Sequence, residues 1–329
     1  MRMKHVIQFY QASQDQDRYH RIAMPTRLKY SLIMFLAGCS YGFVVPLVKT
    51  AQLEAFSTGQ IMVTQYIVAV ITLCLTCLLF SRTKVSLKNA LQLMGLGIIG
   101  AGVSFCYYHA LELLAPAMAL TLLFQFVWMG MVVQAVSTKT RPQTSALLAV
   151  LLVVVGAVLA TGILDENISL QNLDLTGILF GFMSALCYTA FLALSGRIAL
   201  QLPAVNRSMF TTLGSLIISF VITPRYFSES MLTLDLPVSI GLGLLGICLP
   251  VFLIAVSSPK LPTGLTTVMA SSELPSGVIC AALFLGEAVS FAIGLGVAIV
   301  LLGIVLSESE TLRLLLAKPD RDNNPPQQE

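Results

Sequence analysis

Charge is what this chain lacks most. Only 11% of its 329 residues are Asp, Glu, Lys or Arg, against about 25% in an ordinary soluble domain. With 56% hydrophobic residues, a water-soluble fold would have too little polar surface to cover its core. Histidine is almost absent, since His109 is the single one outside the first twenty residues. That excludes a His-rich metal cluster, and no Gly-x-Ser-x-Gly elbow or deep Asp pair stands in for it. No cofactor or metal is expected. All seven cysteines fall inside apolar stretches and none sits in a loop with a partner, so they read as small packing residues, with redox or metal chemistry at the Cys74–Cys77 CxxC as the alternative. The absence of strand-like alternation argues against a barrel.

What is present is a set of long apolar runs. They cover, to within a few residues, 28–48, 59–80, 90–111, 115–136, 143–162, 175–196, 207–223, 237–257, 262–285 and 287–306. About 20 apolar residues make one helical crossing of a bilayer. The expected fold is therefore an all-α integral membrane protein of ten transmembrane helices. Residues 1–27 form a polar N-terminal tail without the pattern of a cleaved signal, and 309–329 a charged, then Pro- and Gln-rich, C-terminal tail.

Residues 28–161 and 175–308 are one unit written twice. At a constant offset of 147 positions Tyr41 meets Tyr188, Met62 meets Met209, Phe105 meets Phe252 and Gly156 meets Gly303. Five crossings per unit is an odd number, so the second unit is expected upside down relative to the first, as in many secondary transporters. With the amino terminus in the cytoplasm, all but Lys49 and Arg225 of the nineteen Lys and Arg residues fall on the inner side. This predicts cytoplasmic termini in a multi-pass cell-membrane (inner or plasma membrane) protein.

Polar residues at mid-bilayer depth are costly and call for an explanation. Of the acids only Glu273 is deep, within Ala270-Ser271-Ser272-Glu273-Leu274-Pro275. It reads either as a site for a proton or cationic group, or as a protonated structural carboxyl bonded to serine or to a carbonyl that Pro275 frees near Ser271. The offset pairs Gln125 with Ser272 and Phe126 with Glu273, which puts polar character at one depth in both units. Trp128, one turn from Gln125, is either packing or ligand stacking. Tyr41 and Tyr188 are cavity walls or amphipathic core residues. His109 and Tyr108 stand i+3 and i+4 from Glu112, which suggests an outer gate or an interfacial aromatic belt with a solvated acid. Gln65 and Gln134 are weaker candidates. Pro46, Pro250 and Pro275, with the many glycines, could supply bends.

The stretch Glu273 to Glu287 resembles the Pro-x(10)-Gly-Glu ending of a fourth helix in the EamA-type families of the drug/metabolite transporter superfamily. A Gly-rich fifth helix follows it (Gly294, Gly296, Gly303). The first unit departs from that pattern, with Trp128 at the proline position and Lys139-Thr140 at Gly-Glu. The resemblance implies two inverted five-helix bundles, a central cavity lined by helices 1, 3, 4, 6, 8 and 9, and export of small metabolites, amino-acid-like compounds or drugs. The expected partners are thus a small-molecule substrate, the lipid bilayer and protons, the last through Glu273; no nucleic acid is expected. Monomer and homodimer are both compatible. The expected binding residues are Glu273, Gln125, Trp128, Tyr41, Tyr188 and Ser272, with His109, Tyr108, Glu112 and Pro275 as gate or coupling residues. The alternatives are a channel or a non-transporting scaffold, although no filter-like loop or ring of charges is present. An enzyme is the least supported.

Overall fold

The structure is a computed structural model that describes residues 26–53, 58–114, 116–162, 174–222, 236–286 and 288–308. The expectations for the two tails, the 163–173 loop and Glu287 lie largely or wholly outside these residues. Every regular element among the described residues is helical. Eight helices are long and apolar enough to cross a membrane: α1 (Thr26–Val48), α2 (Gly59–Phe80), α3 (Leu87–Leu113), α4 (Met118–Thr138), α6 (Leu175–Ser195), α7 (Ala204–Ile222), α8 (Pro237–Lys260) and α9 (Thr263–Leu285). Two apolar helices are shorter, α5 (Thr144–Ala160) and α10 (Phe291–Ser307). Large apolar side chains stand fully outward on several of them, such as Leu78, Leu79 and Phe80 of α2 and Phe291 of α10. Such a surface suits acyl chains and not water.

Residues 30–307 form one compact unit. Within it α5 packs on α10, α4 on α9 and α2 on α7. α3 packs on α6 and α7, while its counterpart α8 packs on α1 and α2; α4 packs on α6, and α9 on α1. Exchanging the two sequence halves maps these pairings onto one another, although α7 also packs on α8 with no comparable α2–α3 pairing. In the second, smaller unit, Arg27 Nε lies 3.5 Å from the Glu308 carboxylate.

Local geometry follows the same 147-residue offset. α5 and α10 share both ends at that offset, and so do the last residues of α3 and α8 (Leu113, Lys260) and of α4 and α9 (Thr138, Leu285). α4 breaks at Phe124–Gln125 and α9 breaks at Ser271–Ser272. Both end on a left-handed residue, Lys139 (φ 54°) and Gly286 (φ 67°). Glycine takes that conformation without strain, and lysine does not. α5 and α10 meet backbone to backbone. A Cβ on Gly156 would stand 2.8 Å from the Gly296 carbonyl oxygen, and one on Gly303 would stand 2.9 Å from that of Ala149. Such small residues are what let helices approach closely in lipid.

Two prolines mark irregular turns. α1 is interrupted at Phe43, three residues before Pro46, and resumes as Val44–Leu53. α8 carries a π segment, Leu244–Cys248, just ahead of Pro250, and there Leu249 N–H reaches back to the Leu244 carbonyl. The missing proline amide explains a broken ladder in each case. Ser40 of α1 donates to the Leu245 carbonyl at 2.7 Å and so occupies one acceptor of the π turn.

Arg207, the first residue of the seventh apolar run, is buried and not solvent-facing. α7 starts at Ala204, and Arg207 is only 4% exposed. Its guanidinium donates to the Ala255 carbonyl of α8 at 2.8 Å and to the Ser195 carbonyl at the end of α6. It satisfies carbonyls near two helix ends that would otherwise be orphaned. Replacing it with methionine should destabilise the protein by about 3 kcal/mol, read as earlier thermal unfolding in detergent. Lysine should rescue little, because one ammonium does not reproduce a planar fork.

Asp174 caps α6. Its carboxylate accepts from Thr176 N–H at 2.7 Å and Gly177 N–H at 3.2 Å. The amides of Gly177 and Thr176 hold its pKa below the usual carboxylate value. The cap is thus complete at neutral pH and lost as pH falls through that lowered value. Asp174→Ala should speed amide exchange over 175–178 at pH 7 and make no difference in strong acid. Asp174→Asn should keep most of the protection.

Candidate functional site

The break in α9 positions the site. After Ala270 the chain makes one turn at Ser271–Ser272, and the helix restarts at Glu273. The Ser271 carbonyl near Pro275 is not left free, because it accepts from Leu274 N–H at 3.2 Å. Ser272 Oγ donates to the Phe35 carbonyl at 2.7 Å and Ser276 Oγ to the Cys39 carbonyl at 2.8 Å. These two bonds strap the restarted helix to α1 on either side of Glu273. Ser272 has no exposed surface, so it is a positioning residue and has no free face for a ligand. Pro275 is buried in the first turn of the restarted segment.

The restarted helix carries Glu273 into the neighbourhood of Tyr41 on α1, Tyr107 and Tyr108 on α3, and Tyr188 on α6. Among the described residues the carboxyl makes no ion pair and no side-chain hydrogen bond. Tyr41 and Tyr188 meet edge to face with ring centroids 6.2 Å apart, and Tyr107 and Tyr108 lie 6.1 Å apart. Tyr188 is 4% exposed, and its hydroxyl has no hydrogen-bond partner. Glu273, Tyr41, Tyr107 and Tyr108 are half-buried. A second polar layer backs them. Tyr66 OH lies 3.3 Å from Ser104 Oγ, and Gln65 stands near Tyr108.

Several expected residues sit elsewhere. Gln125 and Trp128 bond to each other, Trp128 Nε1 donating to Gln125 Oε1 at 2.8 Å, while Gln125 Nε2 donates to the Thr121 carbonyl at 2.9 Å. Trp128 is 37% exposed, whereas Phe126, which stands at the repeat position of Glu273, is fully buried against Tyr188 at 4.6 Å. Neither Gln125 nor Trp128 makes a hydrogen bond to Glu273. His109 Nδ1 lies 3.0 Å from the Phe105 carbonyl of its own helix, and its ring packs on Phe105 and Phe180. Glu112 is exposed on the far side and does not pair with His109. Tyr108 belongs to the central group and not to that outer end. Tyr107, Tyr66 and Ser104 were not singled out in the sequence. Their signal was there, since Tyr107 follows Ser104 by three residues on α3.

A separate cleft of about 160 Å³ lies where α4, α6 and the α8–α9 turn meet, lined by Gln134, Thr138, Arg197, Ser258, Pro262 and Thr266. Gln134 Oε1 accepts from Gly264 N–H at 2.8 Å and caps the start of α9. Among the described residues no group of three His, Cys, Asp or Glu side chains could hold a metal ion.

Comparison with known proteins agrees with this architecture. A solved crystal structure superposes with a TM-score of 0.74 and 16% sequence identity, over 88% of this chain and 99% of that one. At that identity the likeness shows the fold alone. No curated protein matches the chain. Residues 28–162 match the model of the EamA-like transporter family. The match falls on the first unit, while the motif that carried the resemblance stands in the second. The chain is thus a multi-pass membrane protein whose residues 28–162 match the EamA-like transporter family, one of the drug/metabolite transporter superfamily.

Proposed function

We propose that the protein is a secondary-active transporter that moves a small molecule across a cell membrane by alternating access. In this reading all ten apolar helices cross the bilayer, and residues 28–161 and 175–308 are inverted five-helix repeats with both termini in the cytoplasm. The helix ends, helix breaks and left-handed caps that recur at one offset support this reading, as does a pairing pattern that, apart from the α7–α8 pair, survives exchange of the halves. The observation that carries the functional step is a deep carboxyl without an internal partner, held where both units meet. Glu273 and Tyr188 come from the second unit, and Tyr41, Tyr107 and Tyr108 from the first. Midplane sites at a repeat interface are the rule in this class of transporter. Rocking one unit against the other would expose Glu273 to each side in turn. Differential affinity of the two states would then couple its protonation to cargo. Export is the direction the family resemblance suggests.

The test has two arms. Accessibility labelling of single cysteines should place 165–174 on the opposite side from the amino-terminal tail. Reconstituted protein should show saturable uptake and counter-exchange with no single-channel conductance. Labelling of both segments from one side would remove the inverted arrangement, and unitary currents would make the protein a channel.

A further inference from the structure

We propose that the cleft of about 160 Å³ between α4, α6 and the α8–α9 turn binds the phosphate of an anionic phospholipid from the inner leaflet. Arg197, Gln134 and Thr263 line it, and no acid does. Among the described residues the Arg197 guanidinium makes no ion pair and no hydrogen bond. Gln134 has its side-chain oxygen taken up by Gly264 N–H at 2.8 Å, which leaves its Nε2 amide as a donor without a partner. The Thr263 hydroxyl is likewise unbonded. The other hydroxyls of the cleft are spent. Thr138, Ser258 and Thr266 donate to the carbonyls of Gln134, Ile254 and Pro262 at 2.9, 2.7 and 3.1 Å. Three free donors, one of them charged, therefore share one cleft. A planar guanidinium with an amide and a hydroxyl suits the several oxygens of a phosphate. A cation would meet a guanidinium there, and an apolar ligand would leave the donors unpaired.

The cleft is held in shape before anything binds. Gly196 lies against the α8–α9 turn, where a Cβ would stand 2.8 Å from the Ser258 carbonyl oxygen. One residue earlier, the Ser195 carbonyl accepts from Arg207. That tethered helix end carries Arg197. Lys139 and Lys260, each next in sequence to a lining residue, are exposed and add positive charge at the rim. Described acids stand elsewhere: Asp174 caps the opposite end of α6, and Glu308 faces Arg27. A lipid is favoured over a dissolved ion by what surrounds the cleft. Val136 and Leu200, within three residues of the lining, are exposed apolar side chains of the kind that face acyl chains. On the topology proposed above this end of the bundle is cytoplasmic, and basic pockets between helices on that side take acidic headgroups.

The probes are phosphatidylglycerol, phosphatidylcholine and inorganic phosphate, each added to the purified full-length protein in detergent. Lipid retention is read by native mass spectrometry, and phosphate binding by thermal shift. Wild type should retain phosphatidylglycerol in preference to phosphatidylcholine. Arg197→Gln should weaken phosphatidylglycerol by about fivefold, and Arg197→Lys by less. Gln134→Glu keeps an oxygen for Gly264 N–H and turns the free donor into an acceptor, so it should weaken the lipid at least as much. Should Arg197→Gln not fold, Gln134→Glu and Thr263→Val carry the test. Lys84→Gln removes a base outside the lining and should change nothing. Equal retention of the two lipids overturns the proposal, as does phosphatidylglycerol binding that ignores both Arg197→Gln and Gln134→Glu. Stabilisation by inorganic phosphate without lipid selectivity also overturns it and makes the cleft a site for a free anion. Binding in detergent does not depend on sidedness, so these outcomes stand apart from the cysteine labelling that tests the topology.

Discussion

Glu273→Gln is expected to abolish transport by the reconstituted protein, or to flatten its pH profile, while the fold survives. The two side chains have the same shape. The carboxyl supports no ion pair and no hydrogen bond within the described protein, so the fold loses no contact when it becomes an amide. What disappears is the ability to carry a negative charge and to release a proton. The groups that face it, Tyr41 from α1, Tyr107 and Tyr108 from α3 and Tyr188 from α6, include no base that could take over. The check is uptake into vesicles across a range of pH, beside circular dichroism and size exclusion of the same preparation. Uptake and a pH profile like those of wild type would remove Glu273 from the mechanism. Glu112→Gln is the matched control and should leave uptake unchanged, since that acid stands exposed, away from the central group.

Leucine at Gly97 or Gly214 should prevent assembly. α3 and α7 cross with their backbones touching. A Cβ on Gly97 would overlap the Thr211 carbonyl oxygen, and one on Gly214 the Met94 carbonyl oxygen. Ser215 Oγ donates to the Gly97 carbonyl at 2.7 Å across the same crossing. Backbone cannot turn aside as a flexible side chain can, so α3 and α7 must separate, with loss of that bond and the neighbouring contacts. The cost is about 3 kcal/mol per site, enough to unfold a marginal protein. The expected result is little monodisperse protein after extraction. Gly95, around which a Cβ would meet nothing within 4 Å, should accept alanine with normal yield. Normal yield of Gly97→Leu would mean that this crossing does not exist.

Much of the fold could be read in the sequence because lipid imposes a simple rule. Apolar length marks a helix, and the 147-residue offset that pairs Tyr41 with Tyr188 also relates the breaks at Gln125 and Ser272. Depth could be read for the same reason, and depth alone singled out Glu273. Azimuth was not. Gln125 matches Ser272 in position along its helix, yet Phe126 is the residue turned to Tyr188, while Gln125 is turned to Trp128. A repeat fixes the level of a residue and leaves its face open where the partner side chain differs in kind. Tyr107 was passed over because two adjacent tyrosines near a helix end read as an interfacial belt. Their place in the centre is set by how α3 lies against α6 and α7, which no local pattern encodes. Arg207 read only as one more inner-side base because its bonds go to main-chain carbonyls, and main chain carries no signature in sequence.

The brevity of α5 and α10 reaches beyond the protein. Seventeen helical residues rise only about 26 Å, less than the roughly 30 Å of a typical hydrocarbon slab. In the proposed ten-crossing arrangement the two stubby helices lie side by side, and their shortfalls add at one flank instead of cancelling. Lipid there would have to dimple inward to meet them, a mismatch that costs fractions of a kcal/mol per Å. On that arrangement the protein should prefer short-chain, pliant bilayers, and its neighbours in the membrane should feel the pinch it makes.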